Sequence, residues 1–182
     1  MTNIVELSTM CCYKQQALLT RPEHKKIIIN SLKFLVKEKR IVLYGFVIMP
    51  RYVQVLWQKQ DEWKDKNVQQ MFSKYTAQKI KHYLKSENLP ELESFRSNRT
   101  DRIYQFWERN GSKKIILTYQ EAQSELMFMH IAPCDIMICK IPQHYHYSSA
   151  KFYYSKVDQW KMLTDISEHL QRPSGPPPNR PE

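Results

Sequence analysis

The chain is predicted to fold as an α+β domain: an antiparallel sheet with helices packed on one face, ferredoxin-like in layout. Three observations carry this. The run Ile41 to Ile48 is almost continuously apolar, as a strand buried on both faces must be. The next run, Tyr52 to Trp57, alternates: Val53, Val55 and Trp57 fall on one face, Tyr52, Gln54 and Leu56 on the other. The segments then read strand, helix, two strands, helix, one or two strands, helix, which gives too few helices to cover both faces of a parallel sheet.

Taken in order, a first strand is expected around Cys11 to Leu18. Thr20-Arg21-Pro22-Glu23 reads as a capping box, with Thr20 as N-cap and proline in the first turn. The helix it opens runs to about Lys39, with Ile28, Leu32, Leu35 and Val36 as its apolar stripe and a lysine-rich opposite face. The two strands at Ile41–Ile48 and Tyr52–Trp57 should lie side by side near the centre of the sheet, separated by the break at Met49-Pro50. A second helix starts near Asp65 or Asn67, with a stripe of Val68, Met71, Phe72, Tyr75, Ile80 and Tyr83. Residues 86–100 read as a loop, Arg102 to Trp107 and Ile115 to Leu117 as strands, with Gly111 in the turn between them. Thr118 or a neighbour caps a third helix that reaches about His130 and is ended by Pro133. One domain over residues 1–165 is expected, followed by a disordered proline-rich tail over 166–182 that ends in RPSGPPPNRPE.

Twenty-eight Lys and Arg against eighteen Asp and Glu give a net charge of +10, which favours a polyanionic partner, nucleic acid first. No run of apolar residues is long enough to span a membrane, and the first ten residues do not read as a signal peptide. Cys11, Cys12, Cys134 and Cys139 form no CxxC pair, so reduced thiols and a cytoplasmic location are expected, with a zinc site as the minor alternative.

Five segments resemble one family. LYGFVIMPRYVQVLW, Leu43 to Trp57, looks like the MPNHVHLLW segment of the single-tyrosine transposases of the HUH superfamily, in particular the REP-associated tyrosine transposases. TRPEHKKIIINSL and FSKYTAQKIK resemble that family's first two helices, and YQFWERN, Tyr104 to Asn110, its tryptophan strand. FMHIAP, Phe128 to Pro133, resembles YIHNNP on the helix that carries the catalytic tyrosine; PQHYHYSSAKFYY, Pro142 to Tyr154, resembles PEDYxYSSAxxY. The resemblance implies an enzyme that cleaves and transfers single-stranded or hairpin DNA. In it a histidine pair and a third polar ligand hold Mg²⁺ or Mn²⁺, which polarises the scissile phosphate, and a tyrosine attacks to form a phosphotyrosine.

The matching positions of this chain have lost those groups. The nucleophile position is Phe128, the histidine positions are Tyr52 and Gln54, and the third ligand position is Ala132. No bound metal and no cofactor are therefore expected, since one neutral amide oxygen cannot hold a hydrated Mg²⁺. Tyr52 and Gln54 should face the C-terminal part of the third helix. Arg51, Lys74, Lys81, Arg96, Arg99, Arg102 and Arg109 are the candidate phosphate contacts, and Trp107 the candidate base-stacking group. His130 reads as a hydrogen-bonding group at the helix end rather than a base, and His144 and His146 as loop residues or a new histidine pair. Three functions stay open: a silent DNA-binding protein derived from a transposase, an active transposase with a rearranged nucleophile such as Tyr52, and an interaction protein that kept only the fold. The family includes monomers and homodimers.

Overall fold

The computed structural model describes residues 4–109 and 111–171. Its strands β1 (Val5–Cys11), β2 (Ile41–Ile48), β3 (Tyr52–Lys59) and β4 (Ser112–Ile116) form one antiparallel sheet in the order β2-β3-β1-β4. Helix α1 (Pro22–Lys37) connects β1 to β2, and α2 (Val68–Ser86), followed by the short α3 (Glu91–Ser94), connects β3 to β4. This is the ferredoxin-like succession. Helix α4 (Tyr119–Asp135) and the short α5 (Ala150–Ser155) follow it.

The α+β class and the antiparallel sheet are as the sequence predicts, but the helices occupy both faces. On one, Ile28, Leu32, Phe72 and Ile80 of α1 and α2 pack on Val53, Val55 and Trp57. On the other, Ala122, Leu126 and Met129 of α4 pack with Val5, Leu7, Tyr44, Val47 and Leu56. Strand β2 is buried on both sides for that reason, yet it is an edge strand; the central strands are β3 and β1. An extra residue at Tyr44, between the Leu43–Trp57 and Gly45–Leu56 pairs, is a bulge that shifts the alternation. Leu43 and Phe46 thus share one face while Tyr44 and Val47 share the other.

The outer edge of β2 is closed by the 147–149 segment. Ile48 N donates to Tyr147 O and Ser149 N to Phe46 O, both at 2.9 Å. The Ser149 hydroxyl accepts from Phe46 N at 3.0 Å, donates to Phe46 O at 3.2 Å, and lies 2.8 Å from His130 Nε2. The Phe46–Ile48 part of this edge is thereby closed to pairing with a second chain.

Several boundaries differ from expectation. The first strand is Val5–Cys11, not Cys11–Leu18: it was hidden by Ser8 and Thr9, which the sheet absorbs by pairing Ser8 Oγ with Trp57 Nε1 at 3.1 Å and Thr9 Oγ1 with Gln54 Nε2 at 3.2 Å. Thr20 caps nothing. Arg21 is the N-cap without a side-chain bond, and the Thr20 hydroxyl donates to Ala17 O at 3.0 Å. Asn67 does cap α2, but Met71 and Tyr75 are exposed while Thr76 and Leu84 are buried, because the stripe follows every fourth residue from Val68. Arg102–Trp107 is no strand: Gln105 N donates to Phe95 O on one side, Phe106 O accepts from Tyr13 N on the other, and consecutive Phe106 and Trp107 are both buried. Thr118 and Glu121 form a full capping box on α4, which continues past Pro133 to Asp135, since a proline in the last turn removes only one donor. Packed chain also extends beyond the boundary expected at 165, with Ile166 buried in the α4-side core. The remaining tail residues, 172–182, and Asn110 of the tryptophan motif lie outside the described residues.

Ser149→Ala leaves Phe46 N and His130 short of a partner inside the protein, and is expected to cost about 1–3 kcal/mol of stability. A chemical-denaturation midpoint equal to that of the unmodified protein would show that the edge closure does not depend on this hydroxyl.

Candidate nucleic-acid interface

Tyr52 opens β3 and Gln54 follows it on the same face, the face covered by α4. Their cross-strand neighbours are Cys11 and Thr9 of β1. Helix α4 lies over this face from the β2 side, and one flank of it turns toward β4, where Glu125 pairs with Lys114 at 2.7 Å. Phe128 and Ala132 follow Glu125 by three and seven residues and so share that flank. Tyr52 reaches the C-terminal end of the helix, where Asp135, after burial itself, is the main influence pushing its phenol pKa up. Tyr52 and Ala132 are partly buried against the α4-side core, and Gln54 points to the same face of the sheet. Phe128 is 64% exposed on α4.

The side chains at these positions do not fit a divalent cation. Gln54 offers one neutral carbonyl oxygen while its N–H donates to Thr9 Oγ1, Tyr52 is a phenol made harder to ionise, and Ala132 has no donor atom. Among the described residues no three His, Cys, Asp or Glu side chains converge on a common point. The four cysteines are free, and Cys134 and Cys139 touch through their sulfurs at 3.4 Å. Burial and the Cys134 contact push the Cys139 thiol up to about 11. His144 sits in a short turn, while the His146 ring packs against Trp160, ring centres 4.6 Å apart and tilted by 53°.

The basic candidates gather elsewhere. Lys74 on α2 faces Arg102 and Arg109 across a cleft of about 250 Å³ that also holds Tyr104, Gln105 and Trp107. It lies on the α2 side of the sheet, opposite Tyr52, because α2 packs on the Val53 face and Gln54 points to the other. Arg51 connects the two regions at the end of the sheet: its carbonyl accepts from Cys12 N at 2.8 Å, and Cys12 is bridged to Trp107. Among the described residues Arg51, Lys74 and Arg109 make no ion pair, whereas Arg99 and Arg102 share Asp101 and Arg96 is held by Glu93. Those two arginine hydrogen bonds hold the Asp101 carboxyl far below its ordinary range. Lys81 lies over the Tyr104 ring at 5.6 Å. Trp107 is a core group, 7% exposed, with its indole N–H donated to Thr76 Oγ1 at 3.1 Å; the expected stacking role is not supported by this packing.

A solved structure of a REP-associated tyrosine transposase bound to a REP hairpin aligns with 96% of this chain and 95% of its own, at a TM-score of 0.61 and 10% sequence identity. The chain has the tyrosine-transposase fold. A putative transposase from Deinococcus radiodurans R1 is a weaker likeness, with a TM-score of 0.41, 15% identity, and 70% and 91% of the two chains covered. No family model matches the chain. No curated protein matches it either.

Sequence reading missed the second half of the cleft. A contiguous cavity of about 280 Å³ continues from it toward β4 and is lined by Gln69, Gln70, Ser73, Glu108, Arg109 and Lys113 among others. Gln69 looks in the sequence like one more polar helix residue; only the closeness of Gly111 shows that it is enclosed.

Trp107→Phe keeps the ring and loses the bond to Thr76, so it should lower stability by about 1 kcal/mol and leave nucleic-acid affinity unchanged. A large affinity loss with unchanged stability would restore the stacking role. His130 gives a pH test. Burial pushes its pKa down from 6.5 to about 4, so the folded protein holds the neutral ring. As pH falls below 6.5 the unfolded chain takes up the proton first, so stability is lost between about 6.5 and 4 at up to ~1.4 kcal/mol per pH unit. His24, also lowered by burial, acts in the same direction. His130→Gln should flatten, though not abolish, this decline in denaturation curves recorded at a series of pH values.

Proposed function

We propose that this chain is a DNA-binding protein on a transposase fold, which takes single-stranded or hairpin DNA and does not cut it. The observation that carries the reading is the set of uncompensated cations, Arg51, Lys74 and Arg109, strung from the end of the sheet into the α2 cleft of that fold. Phosphates neutralised there release counterions, which gives affinity without sequence information. The bound hairpin of the similar transposase supports the choice of DNA over other polyanions.

The absence of cutting follows from chemistry at four positions. A phosphotyrosine link needs an oxygen that Phe128 does not have. Tyr52 has its phenol pushed toward the protonated form by burial, then by Asp135 and Cys11, so it is a poorer nucleophile than a free tyrosine. With no donor at Ala132 and only the neutral carbonyl oxygen of Gln54, these positions give a divalent cation too few ligands to polarise a phosphate.

The test uses a labelled stem-loop with a single-stranded flank. Affinity should fall with salt, with a slope of about −3 to −4 in log–log form if four to six phosphates are contacted, at roughly −0.7 each on single strands. Arg109→Ala should reduce the slope by about 0.7. On a denaturing gel no covalent protein–DNA band is expected with Mn²⁺, and Phe128→Tyr alone should not create one, because groups that act as a unit fail singly. A band from the unmodified protein would establish the active-transposase reading, and no binding at low salt would leave the interaction-protein reading.

A further inference from the structure

The chain reverses direction directly after α4, and the reversal brings two thiols together. Cys134 lies in the last turn of the helix, and Cys139 follows it by five residues. Between them Met137 takes a left-handed backbone conformation, with φ at 56°. Met137 N donates to Cys134 O and Ile138 N to Pro133 O, both at 2.9 Å, so the turn is closed by backbone bonds that do not involve the sulfurs. The two Sγ atoms are 3.4 Å apart. From such a contact, rotation about the side-chain bonds brings sulfurs toward the bonding distance of about 2.05 Å. Both cysteines are half-buried, and the turn joining them is open to solvent, with Met137 90% exposed. A small reagent can therefore reach the pair. The other two thiols are placed differently: Cys11 and Cys12 are consecutive in extended chain, so their side chains leave on opposite faces, and Cys12 is fully enclosed.

We propose that Cys134 and Cys139 are a redox-modification site, a proximal dithiol that closes to a reversible intrachain disulfide on meeting a small disulfide oxidant such as glutathione disulfide. The proposal does not depend on DNA binding. The thiolate of one cysteine attacks a sulfur of the oxidant, which forms a mixed disulfide and releases one glutathione; the second cysteine then attacks the protein sulfur of that mixed disulfide and releases the other. The two protein thiols lose two electrons and two protons, the disulfide of the oxidant takes up both, and two glutathione thiols result. Closure would tie the last turn of α4 to Cys139, which packs against the α4-side core. The loop so closed contains Asp135, the residue that, after burial, pushes the Tyr52 phenol up.

The experiment incubates the reduced full chain with glutathione disulfide, quenches with acid, alkylates in denaturant and digests with trypsin. Cleavage at Lys114 and Lys140 leaves both cysteines on one peptide, 115–140. That peptide is expected two hydrogens lighter, with alkylatable thiols falling from four to two and dithiothreitol restoring all four. Closure should be roughly tenfold or more faster in the native chain than in urea, because the turn holds the sulfurs together. In Cys139→Ser a glutathione adduct should persist on Cys134, since nothing remains to resolve it. As a check that needs no variant, phenylarsine oxide, which bridges two close thiols with loss of water, should bind the reduced native chain once and protect Cys134 and Cys139 from alkylation. A 115–140 peptide of unchanged mass, stable glutathione adducts on both cysteines, a disulfide between chains instead of within one, equal closure rates in urea, or no protection by the arsenical each overturns the site.

Discussion

A sheet covered on both faces leaves little solvent for its polar side chains, and the polar groups it contains must find one another. This is the constraint on which the fold of this chain depends. Trp57 finds Ser8, Gln54 finds Thr9, and Tyr44 donates to Gln58 Oε1 at 2.8 Å. The first two of these pairs run between β3 and β1 and the third between β2 and β3, so each binds two strands as well as neutralising a buried dipole. A slip of one residue in register would turn Trp57 and Val55 toward α4 and strand every one of these partners. The polar pairs therefore specify the alignment that the apolar residues stabilise.

The positions that carry chemistry in the resembled enzymes stand apart from this framework. Val53, Val55 and Trp57 are fully enclosed, His130 is fixed on Ser149, and Pro133 is buried in the last turn of α4. Phe128 is exposed, Ala132 and Tyr52 are half-buried, and Gln54 needs only a hydroxyl partner across the strand. Replacing residues of the second kind costs the sheet little, whereas replacing the first kind opens cavities or strands polar atoms. A fold of this construction can persist at very low sequence identity while those groups change.

What was legible in the sequence follows the same division. Strands β2 and β3 and the capping of α4 were readable because apolar periodicity and the Thr118–Glu121 pattern are local signals. β1 was not, since Ser8 and Thr9 find their side-chain partners only in residues more than forty positions away. The placement of α4 on the second face was not, because the helix has no marked two-sided pattern of its own. The four substituted positions were named from the motifs alone. The grouping of the arginines was not legible: charge along a chain does not say on which side of a sheet it will emerge. Gln69 was invisible for a related reason, as its enclosure depends on a missing side chain at Gly111.

Gly45 has a comparable bearing on the far side. A Cβ at this position would lie 2.4 Å from Leu126 Cδ2 and 3.2 Å from Ser149 Oγ, so α4 rests on β2 at a distance that only a hydrogen atom allows. A methyl at this position would first displace the end of the Leu126 side chain and crowd the Ser149 hydroxyl, so the closure of the β2 edge would feel it before the sheet face did.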